Sequence, residues 1–122
     1  MDWKNWLIAA VIIVAFFVLR RIGQISAKAA REHLKNGAVV IDVRSPGEFA
    51  GGHLPQALNM PVDQVETLVP RRVRDRSQVL LLHCQSGMRS GAAKKKLQAL
   101  GYRNAFNLGS YGRAARIVAD RQ

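Results

Sequence analysis

Residues 78–100 read QVLLLHCQSGMRSGAAKKKLQAL, and this stretch decides the fold. QVLLLH (78–83) is an apolar run without polar alternation, the pattern of a strand covered on both faces. Ser90–Leu100 reads as a helix, with Gly101 as its stop. Between them lies a short loop, Cys84-Gln85-Ser86-Gly87-Met88-Arg89. A buried strand, a tight loop and a helix start make half of an α/β unit. In open α/β sheets ligands bind at the carboxyl ends of the strands, so the loop becomes the candidate site.

Outward from there the same alternation recurs. Ser26 caps a predicted helix through AKAAREHLKN, and Gly37 stops it. AVVIDV (38–43) is a second apolar strand. Ser45-Pro46-Gly47-Glu48 has the spacing of a capping box with proline at the first helical position, and Gly51-Gly52 ends that short helix. Ala57–Met60 is a brief extended piece before Pro61, and Val62–Val69 reads as a helix stopped near Pro70. The basic run RRVRDR (71–76) reads as a solvated loop. Ala105–Leu108 is another strand, Gly109–Gly112 a turn and Arg113–Asp120 a last helix. The expected fold class is α/β: a mostly parallel sheet covered by helices on both faces.

Composition bounds the function. With 122 residues and 48% apolar side chains, the chain is long and apolar enough for one globular domain, placed at 23–122. A single cysteine excludes an internal disulfide, and three scattered histidines give no ligand cluster, so neither a metal nor a cofactor is expected. His53, in Gly-Gly-His-Leu, is expected to hold its loop by hydrogen bonds, and His33 to face solvent. The net charge of +11 favours anionic neighbours. Few aromatic residues argue against stacking on single-stranded nucleic acid, and no nucleic-acid partner is expected. Lys94, Lys95 and Lys96 are consecutive, so they splay around their helix as a solvated face that can also steer anions.

The N-terminus carries WLIAAVIIVAFFVL (6–19), an unbroken apolar run. As a helix it measures about 21 Å, against a bilayer core of about 30 Å. Trp3 and Trp6 at one end, and Arg20 and Arg21 able to snorkel at the other, extend it. Residues 1–22 are therefore expected to form a transmembrane anchor in contact with membrane lipid. Arg20, Arg21, Lys28, Arg31 and Lys35 follow the run and only Lys4 precedes it, which would place a single-pass protein's soluble domain in the cytoplasm. The alternative is a cleaved signal peptide and export to the periplasm, but its flanks are wrong: MDWKN has no net charge and two arginines follow the run.

The chemistry rests on Cys84. Successive amides in a tight loop converge into an anion-binding nest, and the helix behind adds about half a positive charge at its N-terminus. Gly87 permits a backbone that other residues resist, and Arg89 adds a cation. Such surroundings lower a cysteine pKa from about 8.5 into the range ~3.5–7.5, and the thiolate is the nucleophile.

Two stretches resemble the rhodanese family: IDVRSPGEFAGGHLPQALNMP (41–61) and LLLHCQSGMRSGAAKKKLQALGYRNAFNL (80–108). The resemblance implies a sulfurtransferase that moves sulfane sulfur from thiosulfate or a persulfide donor to a thiol, a protein sulfur acceptor or cyanide, through a persulfide on Cys84. It implies that Gln85, Ser86, Gly87, Met88 and Arg89 bind the small anionic donor, with the Arg89 side chain orienting it. It also implies that Asp42 and Arg44 brace the site from the neighbouring strand, Asp42 as a hydrogen-bond acceptor and not as a base. Two other readings stand beside it. One is a non-catalytic rhodanese-like binding module at the membrane. The other is a cysteine-dependent phosphatase or arsenate reductase, whose loops resemble His-Cys, five residues, then Arg; here only four residues separate Cys84 from Arg89. The sequence departs from the family pattern at Gln56, where Gly is usual, at Gly109-Ser110, where Gly-Gly is usual, and in Ala114-Ala115, where an aromatic residue is common. Tyr111 is the expected substitute for part of that aromatic role.

Overall fold

The computed structural model describes residues 2–120, and of residues 20–22 the backbone alone. Ten elements follow in order: α1 (Trp3–Ile22), α2 (Ala27–Lys35), β1 (Val39–Asp42), α3 (Pro46–Ala50), β2 (Leu58–Asn59), α4 (Val65–Arg72), β3 (Leu80–His83), α5 (Met88–Ala99), β4 (Ala105–Gly109) and α6 (Tyr111–Ala119). The four strands form one parallel sheet in the order β2-β1-β3-β4.

The sheet is central because β3 is apolar on both sides. Leu80 and Leu82 pack towards Val65 and Val69 of α4 and Ala93 and Leu97 of α5. Leu81 packs the other way, with Ala30 and Leu34 of α2 and Ala114 and Ile117 of α6. Burying each such Leu, Ile or Val contributes roughly 1.5–3 kcal/mol. Tyr102, fully buried, donates from its hydroxyl to the Val73 carbonyl at 2.6 Å, tying the end of α4 to the turn after α5.

Local signals in the sequence explain most boundaries. The Ser26 hydroxyl accepts from the Ala29 amide at the start of α2. At α3 both halves of the capping box form: the Ser45 side chain accepts from the Glu48 amide, and Glu48 accepts from the Ser45 amide. Two boundaries differ from expectation. α4 runs through Pro70 to Arg72, so the first two residues of the basic run, Arg71 and Arg72, are helical. Val65 and Val69 are both fully buried on one face of α4, and that burial offsets the roughly 3 kcal/mol cost of an interior proline. α6 begins at Tyr111, because the Ser110 hydroxyl accepts from the Arg113 amide and caps it; Gly112 is helical, not part of a turn. His53 donates from Nδ1 to the Phe49 carbonyl across 3.0 Å, as expected, and its ring stacks on Phe49. His33 is half-buried against the Phe106 ring instead of facing solvent.

The membrane anchor is corrected. α1 forms, and its apolar side chains from Trp3 to Leu19 are exposed, yet among the described residues no helix is long and apolar enough to cross a membrane. The physical reason is length: only fourteen of its twenty residues make the unbroken apolar run, and Lys4 and Asn5 lie in its first turn. The transmembrane helix, the lipid partner and the single-pass topology fall together. Without a span, the flanking charges orient nothing, and the cytoplasmic placement drawn from them has no basis. The snorkelling expected of Arg20 and Arg21 concerns side chains outside the described residues.

Candidate functional site

β1 and β3 run side by side, with Asp42 opposite His83. Their carboxyl ends therefore deliver Arg44 and Cys84 to one rim of the sheet. The register between β3 and β4 slips there: Leu82 faces Asn107, but His83 faces Gly109. Asn107, in register with Leu82 before the slip, shares the α5 side of the sheet with Leu82 and Ala105.

Cys84 is fully buried, with core on one side and the loop on the other. The Gly87 amide donates to its Sγ at 3.0 Å, and the Ser90 hydroxyl donates at 3.5 Å. Gly87 is the N-cap of α5 at φ +92°, a left-handed backbone, and a Cβ there would stand 3.4 Å from the Gly109 backbone. Burial is the largest single influence on the thiol and pushes its pKa up. The hydroxyl of Ser90 and the amides of Ser90, Ser86 and Gly87 together outweigh burial and hold it below the ordinary cysteine value.

Of the residues implied by resemblance, Ser86 and Gly87 turn amides to the sulfur. Gln85 and Met88 are exposed at the rim, Met88 strongly. Arg89 is near enough to Cys84 for the sulfur to raise its pKa, but its main partner is Glu48, with contacts of 2.6 and 3.0 Å. That pairing holds Glu48 down to about 2, helped by the Ser45 amide and hydroxyl.

Asp42 and Arg44 form a buried, forked pair. Asp42 accepts from Arg44 Nε and Nη2 at 3.0 and 2.8 Å, and from the Arg44 amide at 3.0 Å. Arg44 also donates to the Gly52 carbonyl at 2.7 Å and reaches Gln85 Oε1 at 3.5 Å. Its guanidinium lies 4.6 Å from the Tyr111 ring centroid. His83, buried, faces Tyr111 edge-on. Burial, above all, lowers its pKa, against the pull of Asp42.

Three contributors were not expected. Asn107 accepts from the Ser90 hydroxyl at 2.7 Å and from the Gly109 amide at 2.9 Å, and donates to the Gly87 carbonyl at 3.0 Å. Ser90 gives both a hydroxyl and an amide to the sulfur. Glu48, noted only as a cap, clamps Arg89. A lone polar residue inside the apolar strand AFNL was the one sequence signal for Asn107.

A strand-ending cysteine, ringed by amides at the start of a helix and braced by a buried Asp-Arg pair, is the rhodanese arrangement, and the chain belongs to that family: the rhodanese-like domain model matches residues 26–112. The chain is similar to a thiosulfate sulfurtransferase of Escherichia coli, 33% identical over 69 residues, which are 57% of this chain and 66% of that protein. It is also similar to a sulfurtransferase of Allochromatium vinosum, 29% identical over 71% of this chain and 81% of the relative. Among solved structures, a human single-domain sulfurtransferase superposes with a TM-score of 0.65 at 30% identity, covering 77% of this chain and 96% of its own. A rhodanese with anions from E. coli superposes with a TM-score of 0.61 at 30% identity, over 63% and 91%.

Proposed function

We propose that the protein is a rhodanese-type sulfurtransferase whose sulfur carrier is Cys84. The observation that carries this reading is the set of donors on its Sγ: the Gly87 amide at 3.0 Å and the Ser90 hydroxyl, which favour the thiolate although the residue is buried. In the first step the thiolate attacks the outer sulfur of thiosulfate. A sulfur–sulfur bond forms on Cys84, the old sulfur–sulfur bond breaks, and sulfite leaves with its electron pair. In the second step an acceptor thiolate or cyanide attacks the outer sulfur of the persulfide, and Cys84 leaves as thiolate. No proton must be removed from an ionised thiol, so Asp42, bound on three sides by Arg44, acts as a brace and not as a base.

The amides converge on the sulfur itself, which favours a cradle for one added sulfur over one for a tetrahedral phosphate. Arg89 supplies the cation that orients the anionic donor, and Gln85 and Met88 form the exposed rim that an acceptor meets. The test is thiocyanate formation from thiosulfate and cyanide. The wild-type protein should produce it and Cys84→Ser should not. Equal thiocyanate from both proteins, or none from the wild type, would remove the proposal.

A further inference from the structure

Two arginines stand at the mouth of the loop, and both already have carboxylate partners. Arg44 is spent on Asp42, on the Gly52 carbonyl and on the Tyr111 face, and is nearly inaccessible. Arg89 is the more open of the two, its side chain 38% exposed, but Glu48 grips it through both guanidinium Nη atoms. Glu48 reaches across from α3, where the Ser45 amide and hydroxyl fix its Oε1 at 3.1 and 3.0 Å. A carboxylate held in this way at about 2 remains charged at every working pH. An arriving donor must therefore share Arg89 with a permanent anion, and be repelled by it.

We infer that Glu48 sets the charge preference of the site, disfavouring dianionic donors such as thiosulfate relative to monoanionic or neutral persulfide donors. The inference rests on the sulfurtransfer reading for the identity of the donor. With a neutral hydropersulfide the balance is simple: the Cys84 thiolate takes the terminal sulfur with its hydrogen, the donor's sulfur–sulfur bond breaks, and the donor leaves as a thiolate. No second negative charge enters beside Glu48. Competition between like charges at a partly exposed ion pair is worth about threefold to tenfold in affinity.

Glu48→Gln isolates this effect, because glutamine serves in a capping box as glutamate does but carries no charge. The experiment measures how sulfate, a tetrahedral dianion, and methanesulfonate, its monoanionic counterpart, protect Cys84 of the full chain from iodoacetamide. Each rate is normalised to the same protein without anion. Glu48→Gln should bind sulfate about threefold to tenfold more tightly, with a clearly smaller gain for methanesulfonate. In an Arg89→Gln background the gain should be smaller, because only the direct repulsion by Glu48 is then removed. Unchanged or weaker sulfate protection, or equal gains for both anions, would overturn the inference. Neither outcome depends on turnover, so a failure of sulfur transfer itself would be seen separately, as absent thiocyanate with the charge effect intact.

Discussion

The Ser90 hydroxyl donates to Asn107 Oδ1 across 2.7 Å while standing 3.5 Å from Cys84 Sγ. A hydroxyl has one proton, so Ser90 shares it between Asn107 and the sulfur. Asn107, through its Nδ2, also fixes the Gly87 carbonyl and hence the peptide that follows the Gly87 amide. Loop and strand are thus locked by one amide side chain. Ser90→Ala should raise the pH midpoint of Cys84 alkylation by about 0.5–1 unit, the worth of one hydrogen bond. Asn107→Asp should raise it further, by placing a carboxylate near the thiolate. Reagent access to a buried sulfur changes the rate but not the midpoint. A midpoint unmoved in both variants would contradict the arrangement.

Arg89→Ala should raise the KM for thiosulfate by about tenfold, the loss of one charge-assisted hydrogen bond, with a smaller rise for ethyl hydropersulfide. Steady-state kinetics with both donors decide it. Equal effects on the two would show that Arg89 does not read the donor's charge.

The Arg89–Glu48 pair makes stability depend on acid. The folded Glu48 carboxyl, at about 2, lies below its ordinary 4.5. A depressed carboxyl contributes stability above its unfolded value and loses it as the pH falls towards the folded one. The stability difference between wild type and Glu48→Gln should therefore hold above pH 4.5 and shrink between about 4.5 and 2. Denaturant unfolding at stepped pH measures it. A difference that grows on acidification would have the wrong sign.

Gln56 adopts φ +63°, the left-handed backbone that costs a residue with a Cβ roughly 1–2 kcal/mol. Part of that cost returns as chain entropy when glycine is introduced. Gln56→Gly should stabilise the fold by up to about 1 kcal/mol in denaturant unfolding. A clear loss would mean that the exposed Gln56 side chain makes a stabilising contact.

The sheet was legible because its strands are buried on both faces: VLLL and VVI are runs that only a covered strand or a buried helix tolerates. The capping box at Ser45 and Glu48 and the loop at Cys84 were legible because each is local in the chain. What escaped depends on residues far apart. Asn107 meets Gly87 and Ser90 only when β4 is paired with β3 and α5 is packed on the sheet. Glu48 meets Arg89 only when α3 is folded against the loop. Pro70 misled because local propensity points to a stop, while the burial of Val65 and Val69 decides the helix. At the N-terminus the run is apolar, but its fourteen residues fall short of the roughly 20 that a span needs.

The central claim is that Cys84 takes up sulfane sulfur. Intact-mass measurement after incubation with thiosulfate tests it most directly. The wild-type chain should gain the mass of one sulfur atom, lose it on addition of cyanide, and show no gain as Cys84→Ala. A wild-type mass unchanged by thiosulfate and by a hydropersulfide, or a gain that survives in Cys84→Ala, would contradict the account.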